Sequence, residues 1–263
     1  MRPRLTTLVL LVVLLTGKTS PAQQTSAPVQ RDQQALTILS QVLNAAGGQS
    51  AVGAIQDFKA TGNVTYNWGG NAQGSTTVKG RGLHQFRVDT TLPDGLHSWI
   101  VNGGTTFQRN PDGSTSPLPS QNTVKPAPIT FPLLQLLAVI QDTTISVIYN
   151  GLVMHNGQQV HDVLVQKKLS SSVDPVGAFA QVTKADVFID PNALTIQAIA
   201  DVAYPRDSVA GQCAHEIQFS GYQSVNGVLV PFSVTELIAG QQTATIQLNQ
   251  ITFNNSLTDS DFE

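Results

Sequence analysis

A single cysteine, Cys213, stands in the whole sequence. No internal disulfide can form, and no cysteine-rich zinc site can be built. Charge is scarce as well: Asp, Glu, Lys and Arg make up 12% of the chain, against about 25% in typical soluble domains. No basic cluster exists to neutralise phosphates, which excludes a nucleic-acid partner. No apolar run reaches the roughly 20 residues that a helix needs to cross a bilayer. Catalytic signatures are missing too. There is no G-x-S-x-G elbow, no S-x-x-K, no H-E-x-x-H and no glycine-rich phosphate loop, so no catalytic, metal or cofactor site is expected.

The first residues supply a different signal. Arg2 and Arg4 precede an apolar stretch from Leu5 to Leu15, and Ser20-Pro21-Ala22 places small residues before a cleavage point after Ala22. This is the pattern of a signal peptide over residues 1–22, which places the mature chain in the periplasm or outside the cell. Cleavage removes three basic residues and leaves 11 basic against 17 acidic ones, a net charge of −6. Residues 23–31 read as a flexible lead, and residues 32–263 as one domain. With no disulfide available, its apolar core must hold the fold, and a chain of this length can supply one.

Inside the domain the hydrophobic period changes once. Asp32 is an N-cap for a helix carrying Leu36, Leu39, Val42, Leu43 and Ala46, which Gly47-Gly48 ends. Then Phe58, Ala60, Gly62, Val64, Tyr66 and Trp68 alternate with polar residues at the period of a half-buried strand, and Phe86 and Val88 continue it. Asn-Gly at 102, 150, 156 and 226, and Asp-Gly at 94 and 112, are hairpin dipeptides. Together they predict a mainly β, antiparallel, up-and-down sheet. Phe131 to Ile140 is a short apolar block rich in Leu and Ala, read as a helix on the sheet.

Register is also legible near the C-terminus. A two-residue Asn226-Gly227 loop pairs Phe219 with Val234 and sets Gly221 against Phe232. A three-residue loop at 239–241 then pairs Val234 with Ile246 and Phe232 with Leu248. The apolar phase slips after Leu248, which predicts a bulge near Asn249-Gln250. Pro231 requires an edge or an irregularity. The same register puts Glu236 opposite Ile217 and diagonal to His215. That pair is either acid-base machinery or a satisfied polar contact, and the second is expected because no nucleophile accompanies it. His155 and His161, paired with Gln158 and Leu152, lie too far apart to share a metal.

Four stretches in order carry a resemblance: "AIQDFKATGNVTYNW", "VFIDPNALTIQAIAD", "FSGYQSVNGVLVPFSVTE" and the final "ITFNNSLTDSDFE". With the N-terminal helix ending in Gly-Gly, they resemble the lipoprotein-localisation (LolA/LolB-like) superfamily of bacterial envelope proteins. The resemblance implies a curved antiparallel half-barrel with helices over its concave face. It further implies an apolar ligand, a lipid or an acylated protein, in the interior. The expected walls are Val64, Tyr66, Trp68, Phe86 and Val88, under a cover of Leu133, Leu134 and Leu137. Carriers of that family hold the lid with a strand arginine, and Arg87 in "QFRVD" is the nearest candidate. Lipid or lipoprotein carriage or sensing is the implied role. An envelope interaction module with a packed interior and a protein partner is the alternative, and a hydrolase with a hidden constellation is the third reading.

Overall fold

The computed structural model describes residues 29–67, 70–123, 131–205 and 211–263. The expected signal peptide and the beginning of the lead lie outside them, as does Trp68.

Helix α1 (Gln33–Ala45) begins where Asp32 accepts a hydrogen bond from the Gln34 N–H at 2.8 Å. It buries Ala35, Ile38, Leu39, Val42 and Leu43, one apolar stripe at helical spacing. Gly47, at φ +115°, turns the chain out of the helix. A Cβ there would stand 2.4 Å from the Gly227 carbonyl oxygen, so only glycine lets the two segments meet. The short helix α2 (Gln49–Gly53) follows.

The strands then run β1 (Asp57–Tyr66), β2 (Gln73–Arg81), β3 (Gln85–Leu92), β4 (Gly95–Asn102), β5 (Thr105–Arg109) and β6 (Thr115–Pro117), each paired antiparallel with the one before it. Two helices come next, α3 (Ser120–Thr123) and α4 (Pro132–Gln141). After them lie β7 (Ile145–His155), β8 (Gln158–Lys167), the short α5 (Ala178–Val182), β9 (Ala185–Ile189), β10 (Ile196–Ala203) and β11 (Cys213–Ser220). The hairpin β12 (Gln223–Val225) and β13 (Val228–Val230) stands apart. Then β14 (Ser233–Ile238) and β15 (Gln241–Phe253) return the chain to β1. The sheet order puts β6 at one edge and β7 at the other, with β1 and β15 side by side in the middle. The chain therefore crosses from edge to edge once, through α3 and α4.

The expected register is present. Phe219 faces Val234, Val234 faces Ile246, and the Leu248 N–H donates to the Phe232 carbonyl at 2.7 Å. Asn249 is the extra residue where β1 and β15 shift register. Pro231 lies between β13 and β14. Two turn assignments change. The loop after β14 is the two-residue Ala239-Gly240, and a bulge beside Glu236 restores the register that a three-residue loop would have given. Asn150-Gly151 is a bulge inside β7, because Asn156-Gly157 makes the hairpin to β8.

Phe58, Val64, Val78, Phe86 and Val88 share one core with the apolar faces of α1 and α4. Gly80, opposite Phe58, leaves the space that its ring fills. Phe131, just before α4, meets Phe58 edge-on and stacks on Phe253, each at 5.5 Å. The apolar block is thus a helix lying over the sheet, as its composition predicts.

The other face is covered by the chain's end. A 3-10 turn, Asp259–Phe262, lies on β3 and β4 and buries Phe262 completely, and Ile100 is buried on the same outward-facing side. Lys79 pairs with Asp261 at 2.8 Å, and Arg81 with Asp259.

Candidate functional site

A cavity of about 590 Å³ opens on the sheet face that also carries the core. Trp99 and Val101 of β4 and Thr106 of β5 line one wall. Ile199 and Ala203 of β10 and Ile217 and Phe219 of β11 line the other. On a flat sheet, β4 and β10 would stand roughly 34 Å apart, seven spacings of about 4.8 Å. Both wall the same cavity, so the sheet is strongly curled and the cavity lies in its hollow. Gln135 of α4 closes one side. Leu118, Pro119 and Asn122, leading out of the β6 edge, close another. The Asn122 side-chain amide donates to the Tyr204 carbonyl at 2.9 Å and accepts from the Tyr204 N–H at 3.1 Å. This pair of hydrogen bonds ties the edge-crossing segment to the end of β10.

Most of the wall is apolar, and the charged side chains among its described residues are Asp201, His215 and Glu236. They sit on three neighbouring strands. His215 Nδ1 is 2.6 Å from Asp201 Oδ1, and its Nε2 is 3.4 Å from Glu236 Oε1. Glu236 Oε2 accepts from the Thr243 hydroxyl at 2.7 Å. Burial pushes the imidazolium toward losing its proton, but the hydrogen bonds to Asp201 and Glu236 outweigh it and raise the His215 pKa to about 9. Glu236 shifts the opposite way. Burial pushes its carboxyl up, and the bonds from His215 and Thr243 bring it below the ordinary range.

This linkage gives a pH prediction. A folded-state pKa near 9 against 6.5 unfolded means that His215 contributes fully below about pH 6.5 and loses its contribution as the pH rises to about 9. The shift corresponds to about 3 kcal/mol. Glu236→Gln removes one carboxylate, so the alkaline loss should begin at lower pH. Urea unfolding of both proteins between pH 6 and 10 checks this. Superimposable stability profiles would show that Glu236 does not hold the His215 proton.

The residues named from the sequence lie close by but do not form this wall. Val64, Phe86, Val88, Leu133, Leu134 and Leu137 are buried against one another in the core, and Tyr66 packs half-buried at its margin. The strand residues among them lie on the inner face and the three leucines on α4, and where α1 and α4 cover that face it is filled. The cavity opens beyond the helices, where Trp99, Ile199 and Ile217 stand. "LHSWIVN" held the missed signal. Trp99 and Val101 alternate inward while Ile100, between them, is buried outward, so both faces read as apolar.

Arg87 does not hold the lid. It faces away from Phe86 and Val88, bonding both Asp89 oxygens at 2.8 and 2.9 Å and the Glu263 carbonyl at 2.6 Å. Arg31 is the arginine that reaches the covering helix. Its guanidinium donates to the carbonyls of Ile140 and Asp142 at 2.8 Å, Ile145 at 2.9 Å and Val139 at 3.3 Å. Arg31 belongs to the stretch read as a flexible lead, but Gln30 and Asp32 bond the backbone of Val147 at 2.7 and 2.8 Å and pin it to β7.

The expected pairing of His155 with Gln158 and of Leu152 with His161 is present. Among the described residues no three His, Cys, Asp or Glu side chains are grouped to hold a metal. Among the same residues no helix is long and apolar enough to cross a membrane.

No protein-family model and no curated protein matches the sequence. Solved structures match the fold. A putative outer membrane lipoprotein-sorting protein domain from Vibrio parahaemolyticus is 13% identical, with 87% of this chain covering 96% of it at a TM-score of 0.53. A LolA superfamily protein from Nitrosomonas europaea is 10% identical, with 85% and 96% covered at 0.53. A DUF1329 family protein from Desulfovibrio piger is 11% identical, with 86% and 97% covered at 0.50. At these identities the likeness establishes the fold: the chain has the curved antiparallel architecture of LolA superfamily structures.

Proposed function

We propose that this chain is an exported envelope protein that holds an apolar ligand, a lipid or an acyl chain, in the hollow between β4–β5 and β10–β11. The cavity is the observation that carries the reading. Its 590 Å³ falls in the range of small-molecule sites, about 300–1,000 Å³, and its wall is apolar with a few grouped polar side chains. A fold shared with a lipoprotein-sorting domain supports the same role by analogy alone. Export by the signal peptide, with cleavage after Ala22, belongs to this proposal, as does binding without catalysis.

The charged trio argues for binding over hydrolysis. A general base needs a free imidazole nitrogen at working pH. In His215 both ring nitrogens face carboxylates, and the ring keeps its proton to about pH 9. Among the described residues no serine or threonine hydroxyl bonds His215; the hydroxyl that reaches the trio, that of Thr243, donates to Glu236. Cys213 lines the same wall, but the neighbouring imidazolium has no lone pair to activate it.

Mass spectrometry of organic extracts from protein purified natively out of its exporting compartment tests the proposal. The expected result is an acyl-chain species at about one per chain. Protein that carries none, and that fails to take up an apolar dye, would move the weight to an envelope interaction module.

A further inference from the structure

Two residues that line the cavity each hold a buried polar atom with no hydrogen-bond partner among the described residues: Trp99 Nε1 and Thr106 Oγ1. Thr106 is 5% exposed. More than nine in ten buried polar groups in folded proteins are paired, because an unpaired one has lost water and gained nothing. Two such atoms on one wall of one cavity are therefore informative. They are also neighbours. In the β4–β5 pairing Trp99 faces Gln108 and Val101 faces Thr106, so Trp99 and Thr106 are diagonal on the inner face, about 7 Å apart at the backbone and less at the side chains. The indole meets the Phe86 ring edge-on at 5.7 Å.

The chemistry of the two groups is specific. An indole N–H only donates, and a threonine hydroxyl can donate alongside it. On the opposite wall both His215 nitrogens lie against Asp201 and Glu236, so neither is offered to a ligand. We propose that the apolar ligand carries a hydrogen-bond-accepting oxygen, as in an ester or amide carbonyl, and that Trp99 and Thr106, whose Nε1 and Oγ1 have no exposed surface with the side chains as they stand, turn these two groups onto that oxygen. A pure hydrocarbon leaves both donors unpaired and is rejected relative to an ester of equal length, by the asymmetry that lets a polar site refuse an analogue lacking its partner. This rests on the apolar-ligand reading and adds where the polar end of the ligand sits.

The test compares methyl tetradecanoate with the acceptor-free alkane of equal chain length, each competing with an apolar dye. The readout is the ester-to-alkane affinity ratio, in the wild type and in Trp99→Phe, Thr106→Val and Thr106→Ser, so that each ligand's own partitioning from water cancels. Trp99→Phe and Thr106→Val are each expected to lower the ratio several-fold, and the double variant about tenfold or more, as loss of one to two hydrogen bonds implies. Thr106→Ser, which keeps the hydroxyl, should keep the ratio. Thr106→Val should unfold at the wild-type temperature or above, since it removes an unpaired group. A ratio that stays constant in Trp99→Phe and in the stable Thr106→Val would overturn the assignment and leave the apolar cavity standing. If neither compound displaces the dye from the wild type, the apolar-ligand reading itself falls.

Discussion

Arg31→Met is expected to lower stability by about 3 kcal/mol, a drop of roughly 6–12 °C in unfolding temperature for a chain of this size. The last turn of a helix leaves carbonyls without partners, and α4 has no basic residue of its own there. Arg31, some 110 residues earlier, supplies the missing donors to Val139 and Ile140 and extends them to Asp142 and Ile145. Each bond from a charged donor is worth about 1.5–3 kcal/mol, and the positive charge also opposes the helix dipole, worth about 0.3–1 kcal/mol. Those terms overlap, which is why the expected total is nearer one strong interaction than four. Arg31→Lys should recover only part of it, because an ammonium cannot fork to four carbonyls at once. Thermal unfolding together with amide hydrogen exchange along Leu136 to Gln141 checks this. If exchange there stays at the wild-type rate in Arg31→Met, the guanidinium is not what fastens α4 over the hollow.

Ala203→Trp should abolish apolar-ligand binding, by about 100-fold or more, the ratio that about 2.7 kcal/mol of lost contact gives. Ala203 lies on the cavity wall opposite Cys213, so an indole there enters open space. Overpacking a filled core typically costs about 1–3 kcal/mol. Filling the cavity should cost less, about 1 kcal/mol or under. Leu133→Ala is the counterpart. Leu133 is 2% exposed within the core and off the cavity wall, so its truncation should cost about 2–5 kcal/mol and leave the affinity of the folded protein nearly unchanged. Dye-binding isotherms and urea unfolding on both variants separate the two effects. The opposite pattern, with affinity lost in Leu133→Ala and kept in Ala203→Trp, would place the ligand under the helices, against the residues first read as its walls.

Much of this architecture could be read from local pattern. The alternation from Phe58 to Tyr66 is β1, and Asp32 and Gly47-Gly48 bound α1. Turn chemistry set the partners of Phe219 and Val234, and a break in phase located the bulge at Asn249. These features depend on neighbours a few residues apart or across one tight turn, where backbone geometry leaves few choices. Glu236 and His215 came together for the same reason, through one hairpin connection. The partner of Glu236 was legible; the third member of the trio, Asp201, was not, because it enters from β10 across the β10–β11 connection.

Composition and period thus determined that this is a mainly β chain with one apolar sheet face, a helical cover and no motif for catalysis. Tertiary structure alone decided where that face is packed and where it is hollow. An inward apolar residue looks the same in sequence whether a helix reaches it or stops short. The reach of α4 depends on Phe131 seated between Phe58 and Phe253, and on an arginine from before α1. For the same reason Arg87 looked like a lid-holder and Arg31 did not. Strand pairing and helix periodicity are local, whereas the curl that brings β4 to face β10 accumulates over every strand between them.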